Sequence, residues 1–385
     1  KSWGDRGPRT VGVMVSSMDY LYAGIGNTDA GNAKVWRFDG TKWEIIGGSG
    51  VNNSWAYHTY ESVTSMTMHK TNLFVGLGSS TGDAEVWKWD GSAWEKIGGD
   101  GVNSGWNTDY EEVNSLASYG GYLYAGLGNR TNYAEVWRYN DATQSWGGTA
   151  IGDYGLTGSW GSGFERVTNI TIYNNKLYAT LGVNSGEAEV WEYGGSGTSW
   201  TKVGGDTVNN SWGNSTTYEI VESAVVYNNK LYVGLGNGTD DAEVWAYNGS
   251  TWEQVGGDNI ANSWSTYTRA RTLAVYNGEL YAGLGYGAGY GEVWKYNGIT
   301  WTKVGGNGPG WNAEYEQVES FSSYRGKLYA GMGASQNTDV DIWSLGNNAF
   351  IYYTPSDFSV FNANNWFHVA ATYDGSTVRL YIDNT

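Results

Sequence analysis

Six tryptophans recur at matching places where they could hold a ligand. Trp55, Trp106, Trp160, Trp212, Trp264 and Trp311 lie in polar segments, mostly as Ser-Trp, several with asparagine beside them. An indole plate against the C–H face of a sugar, with amides and carboxylates on its hydroxyls, is a carbohydrate-binding set. The carboxylates follow closely: Glu61, Glu111, Glu165, Glu219 and Glu316, each directly after an aromatic residue. Arg9 and Thr268 interrupt this second series. An incomplete ring of like charge could attract a cation such as calcium, or stand as solvated rim charge.

A third series is the acidic residue of "AEVW": Glu85, Glu135, Glu189, Glu243 and Glu292, with Asp341 and Lys34 at the equivalent places. Such carboxylates either line a site or accept N–H bonds beside their own tryptophans, and the second reading is favoured. Catalytic signals are poor. His58, His69 and His368 share no zinc-binding spacing, and nucleophile-elbow and phosphate-loop motifs are absent. The expectation is a protein that is not an enzyme and has no catalytic residue or cofactor.

These series are positioned by a repeat. "LYAGLG" or a near copy begins at Leu21, Leu73, Leu123, Leu177, Leu231, Leu280 and Leu328, at intervals of 48 to 54 residues. In phase with it run "AEVW", a tryptophan opening the next strand (Trp43, Trp94, Trp146, Trp200, Trp252, Trp301) and the loop tryptophans, which begin with Trp3. A period near 50 points to a propeller or solenoid. Each unit reads as two hairpins. "VESAVVY" and "KLYVGLG" flank Asn-Asn; "AEVWAY" and "STWEQVGG" flank Asn-Gly, suited to a type I′ turn. A long return loop then leads to the next unit, as a propeller requires. Innermost strands are expected near 11–16, 63–68, 113–118, 167–172, 221–226, 270–275 and 318–323. The second-to-third-strand loops and the return loops then share one face. The acidic series rings one mouth of the channel, and the "AEVW" tryptophans are buried between blades. The glycines of "YAGLG" leave room for a neighbouring blade's indole. The loop tryptophans either display their rings on the loop face or wedge between blades. Blade six departs most, carrying Arg269 and Arg271.

Composition agrees. Tryptophan at 22 and glycine at 59 are far above common usage, and the repeat holds most of the tryptophans. A net charge of −17 argues against nucleic acid and anionic lipid as partners. No apolar run is long enough for membrane insertion. Cysteine is absent, which removes disulfides and thiolate chemistry. The abrupt end at "LYIDNT" suggests further domains of a longer parent.

On the glycine doublets and the tryptophans before them, residues 1–353 resemble seven-bladed β-propellers of the kelch and tachylectin-like kind. The expected fold is all-β, seven four-stranded antiparallel blades. "NNWFHVAATYDGSTVRLYIDNT", within 354–385, resembles the central hairpin of laminin-G/concanavalin-like jelly rolls. Phe350–Tyr353 either completes blade seven or belongs to that segment. The functional expectation is a non-catalytic extracellular or cell-surface binding module, its partner a glycan or a cell-surface protein. The alternative is a structural spacer or assembly subunit, and a glycan-processing enzyme is the weaker third reading.

Overall fold

A computed structural model describes residues 10–26, 31–56, 60–184, 186–213, 218–236, 238, 240–287, 291–306, 311, 315–333, 341–345, 350–353, 369–373 and 378–382. Trp3, Arg9, His58 and His368 lie outside the described residues.

The innermost strands are Thr10–Ser16, Ser62–His69, Glu112–Tyr119, Val167–Tyr173, Ile220–Tyr227, Tyr267–Tyr276 and Gln317–Tyr324. Each pairs antiparallel with the following "LYAGLG" strand, whose other edge pairs with the "AEVW" strand. The inner turns of blades three to seven are of the primed type, because both central residues have positive φ, as at Asn174 (47°) and Asn175 (57°). The outer hairpins differ from expectation. Phe38 pairs with Trp43, and the left-handed residue Gly40 is followed by an ordinary Thr41. Asp39 stands before that pair and accepts the Thr41 and Lys42 N–H groups at 2.8 and 2.9 Å. Its carboxylate thus caps the turn instead of occupying its centre.

Six blades carry four named strands. In blade three the outermost position holds only the isolated bridges Val136–Gly152 and Asn140–Ser145. Gly147 and Gly148, both at positive φ, separate Trp146 from Ile151 and break the ladder there. In blade seven, Phe350–Tyr353 pairs with Ile342–Leu345 as a fourth strand. Val369–Tyr373 and Val378–Ile382 form their own two-stranded antiparallel sheet.

The ring is joined by the last glycine of each motif. Gly26 bridges Ser62, Gly78 bridges Glu112, Gly128 bridges Arg166 and Gly182 bridges Ile220. Gly236 bridges Arg269, Gly285 bridges Gln317, and Gly333 returns to Thr10. A Cβ on Gly78 would meet the Glu111 carbonyl oxygen and Glu112 Cα at 2.5 Å, so only glycine admits this approach. The expected indole seat lies elsewhere. Trp94 packs 3.0 Å from the Cβ position of Gly47, the first glycine of the preceding blade's "IGG".

The seven hydrophobic clusters are each built largely across a blade junction. Within them the burial of the "AEVW" tryptophans is partial. Trp137 and Trp343 are buried, whereas Trp36, Trp87, Trp191, Trp245 and Trp294 are half-buried.

Candidate functional site

The loop tryptophans decide what the loop face can do. All six are buried, none more than 4% exposed. Trp55, Trp106, Trp160, Trp212 and Trp264 donate Nε1–H to the carbonyls of Ala33, Ala84, Ala134, Ala188 and Ala242. Trp311 donates to Gly291. The first five rings stand edge-on against the third- and outermost-strand indoles of the next blade, as with Trp55 at 5.8 Å from Trp87 and 5.3 Å from Trp94, while Trp311 lies tilted at 5.4 Å from Trp343. The exposed-ring expectation is therefore corrected for Trp55, Trp106, Trp160, Trp212, Trp264 and Trp311. A buried indole must satisfy its N–H, and the junction supplies both the carbonyl and the aromatic walls.

Neighbouring loop residues are consumed the same way. Asn52, Asn103 and Asn209 donate back to Ile46, Ile97 and Val203 carbonyls at 3.0–3.1 Å. Ser54, Ser211 and Ser263 accept N–H from Gly48, Gly205 and Gly257. The segment before the tryptophan is thus a one-turn 3-10 cassette in four of the return loops, locking each onto the blades it joins.

The acidic series stands at the entry to the innermost strands: Glu61, Glu111, Glu165, Glu219 and Glu316 lie one or two residues before them. Glu61 accepts from Ser80, Glu165 accepts from Thr131, and Glu111 accepts from Thr81 and from Arg130 at 2.6 Å. Arg130 also donates to Thr81 of the preceding blade, and Asn129 donates to Glu111. Donors from neighbouring loops are thus interleaved with Glu61, Glu111 and Glu165. Among the described residues no group of three or more His, Asp or Glu is arranged to hold a metal.

The channel wall is charged in a different pattern. A cavity of about 340 Å³ is lined from all seven blades, with Glu112, Arg166, Glu222, Arg271 and Glu319 as its charged groups. Arg271 bridges Glu222 at 2.5 Å and Glu319 at 2.9 Å, tying blades five, six and seven together. Arg269 reaches Glu222 at 3.4 Å. The blade-six arginines thus serve the channel wall, a placement visible only once the strands are curled into a ring.

The "AEVW" carboxylates follow the favoured reading. Glu85, Glu135, Glu189, Glu243 and Glu292 each accept Nε1–H from the tryptophan two residues on, at 2.6–2.7 Å. Lys96, Lys202 and Lys303 also pair with Glu85, Glu189 and Glu292. Glu135 and Glu243 have no such lysine: Gln254 replaces it in blade five, and the broken strand removes it in blade three. Burial pushes both carboxyls up to about 7.

His69 was an isolated residue in sequence. It is buried, with Ser118 Oγ 2.7 Å from Nδ1 and Asp141 Oδ2 2.7 Å from Nε2. The available signal was internal: five blades place tyrosine at that position.

No family model matches the chain, and no curated protein matches it. Solved structures do. The WD40 β-propeller domain of Doa1 aligns with a TM-score of 0.53 at 11% identity, covering 89% of this chain and 95% of that one. A chain of the mitotic checkpoint complex aligns with a TM-score of 0.55 at 13% identity, covering 89% and 93%. At such identities the likeness concerns fold alone. This chain has the fold of a β-propeller, similar to those of the WD40 type.

Proposed function

We propose that the chain is a binding scaffold that docks a protein partner on its loop face, in an extracellular or cell-surface setting. The observation that carries this reading is the polar network over blades two to four. There Arg130, about half exposed, is held by Glu111 and Thr81 across a blade junction. Preorganised charged groups on a rigid frame suit recognition of a complementary protein surface. The negative net charge favours a partner with a basic patch. Carbohydrate recognition loses its aromatic plates when the six indoles are buried, leaving only amides and carboxylates for the hydroxyls. The laminin-G-like motif at the C-terminal end supports the extracellular setting, as does the kelch and tachylectin-like character of the repeat. A structural spacer is the second reading, favoured by that same burial.

The test is cross-linking of the chain to a cell-surface protein preparation, comparing wild type with Arg130→Glu. The charge reversal should abolish a specific cross-link while leaving the melting curve unchanged. Wild type without any cross-linked partner, alongside a silent glycan array, would favour the spacer. A glycan hit unaffected by Arg130→Glu would return carbohydrate as the ligand.

A further inference from the structure

Two departures from the repeat meet at one junction. Blades three to seven end their innermost strands in tyrosine: Tyr119, Tyr173, Tyr227, Tyr276 and Tyr324. Four of these donate their hydroxyls to carbonyls of the next blade's inner turn: Tyr119 to Asn175, Tyr173 to Asn229, Tyr276 to Gly326 and Tyr324 to Asp19. Blade two ends in His69 instead. Separately, the lengthened outer hairpin of blade three, bridged at Asn140–Ser145, carries Asp141 to that histidine.

The result is an ordered chain of three groups. Asp141 Oδ2 lies 2.7 Å from His69 Nε2, and His69 Nδ1 lies 2.7 Å from Ser118 Oγ. A carboxylate only accepts, so Nε2 carries the hydrogen and Nδ1 offers its lone pair to the serine hydroxyl. The imidazole is 2% exposed and edge-on to Phe74 at 5.5 Å, which fixes its plane. Lys70 Nζ lies 2.8 Å from Asp141 Oδ2. Partial burial raises the Asp141 carboxyl, but Lys70 and His69 outweigh it and hold it below the usual range. Ser118 itself is exposed. Leu116, two residues earlier on the same strand, is among the residues that line the channel. Hydroxyl, imidazole and carboxylate thus stand in the order that serine activation requires.

We propose that Ser118 is a nucleophile toward small carboxylic esters, with His69 as its general base and Asp141 as the residue that positions the imidazole. Ser118 Oγ attacks the ester carbonyl carbon while its proton passes to His69 Nδ1. The ester C–O bond breaks and the alcohol leaves with that proton. Water, deprotonated in turn by His69, then attacks the acyl carbonyl carbon; the bond to Ser118 Oγ breaks, His69 returns the proton to Oγ, and the carboxylic acid is released. The site lies at the inner-hairpin end of the blades, opposite the loop face, and is independent of the docking reading.

The full chain is treated with a fluorophosphonate probe and with p-nitrophenyl acetate, and the modified peptide is mapped by mass spectrometry. Ser118 should be labelled about a hundredfold faster than in His69→Tyr, which restores the residue of the other blades and keeps the junction filled. Ser118→Ala should remove the label at an exposed position that does not carry the fold. Asp141→Asn should slow labelling without moving the melting temperature, and Asp141→Glu should recover part of the rate. An unlabelled Ser118, or one labelled equally fast in His69→Tyr, would overturn the proposal.

Discussion

The indole of Trp94 donates its N–H to the carbonyl oxygen of Ile46 at 2.7 Å, across 48 residues and one blade junction. Trp146, Trp200, Trp252 and Trp301 repeat this bond to Ile97, Ile151, Val203 and Val255. Each blade is therefore finished by its neighbour. Stability resides at junctions, as in other nearest-neighbour repeat architectures.

Removing an indole from a junction should be expensive in proportion to its burial. Trp137→Ala is expected to cost about 3–5 kcal/mol in chemical denaturation, as for large aromatic deletions in cores. Trp191→Ala, at a half-buried equivalent position, should cost clearly less. Equal losses would show that exposure does not rank these residues.

Gly78 and Gly12 form a contrasting pair. A Cβ on Gly78 meets neighbouring backbone at 2.5 Å, whereas one on Gly12 meets nothing nearer than 3.6 Å. Gly78→Ala should destabilise by roughly 1–3 kcal/mol through enforced separation of blades two and three. Gly12→Ala should be close to neutral. Thermal melts of the two variants make the comparison directly.

Blade six contains a correctable defect. In the 3-10 cassettes, Asn52, Asn103 and Asn209 adopt φ of 53–54° and bond back to the outermost strand. Ala261 occupies the same left-handed conformation, φ 53°, with no side chain to make that bond. Asparagine tolerates this region better than alanine, and its amide would reach the Val255 carbonyl. Ala261→Asn should stabilise the protein by about 1 kcal/mol. An unchanged denaturation midpoint would refute this account of the cassette.

Glu135 and Glu243 make stability depend on pH in a direction opposite to that of ordinary paired carboxylates. Burial raises both to about 7 in the folded chain, above the value of an exposed glutamate. Their contribution is fully present below about pH 4.5 and is lost as pH rises through about 7, up to about 3 kcal/mol each. Asp83 and Asp241, pushed by burial to about 6, act with the same sign. Urea titrations at pH 5 and pH 8 should show a smaller difference for Glu135→Gln/Glu243→Gln than for wild type.

Periodicity determined the architecture. Strand identity, innermost-strand positions and the count of seven blades follow from hydrophobic alternation and from motifs recurring about every 50 residues, because both are local properties of the chain. The indole-accepting role of the "AEVW" glutamates was legible for the same reason, since donor and acceptor lie two residues apart. Exposure was not. Whether Trp55 faces solvent or Trp87 depends on where the next blade falls, and composition is the same in either case. Glu112 lines the channel cavity while Glu111 beside it bonds to Arg130 and Thr81, a division that the repeat did not mark. The bond from Trp94 to Ile46, the Arg271 staple and the meeting of His69 with Asp141 all join residues of different blades. Only the packing of each blade on the next brings such pairs together, and the Gly333–Thr10 bridge repeats it between the last blade and the first.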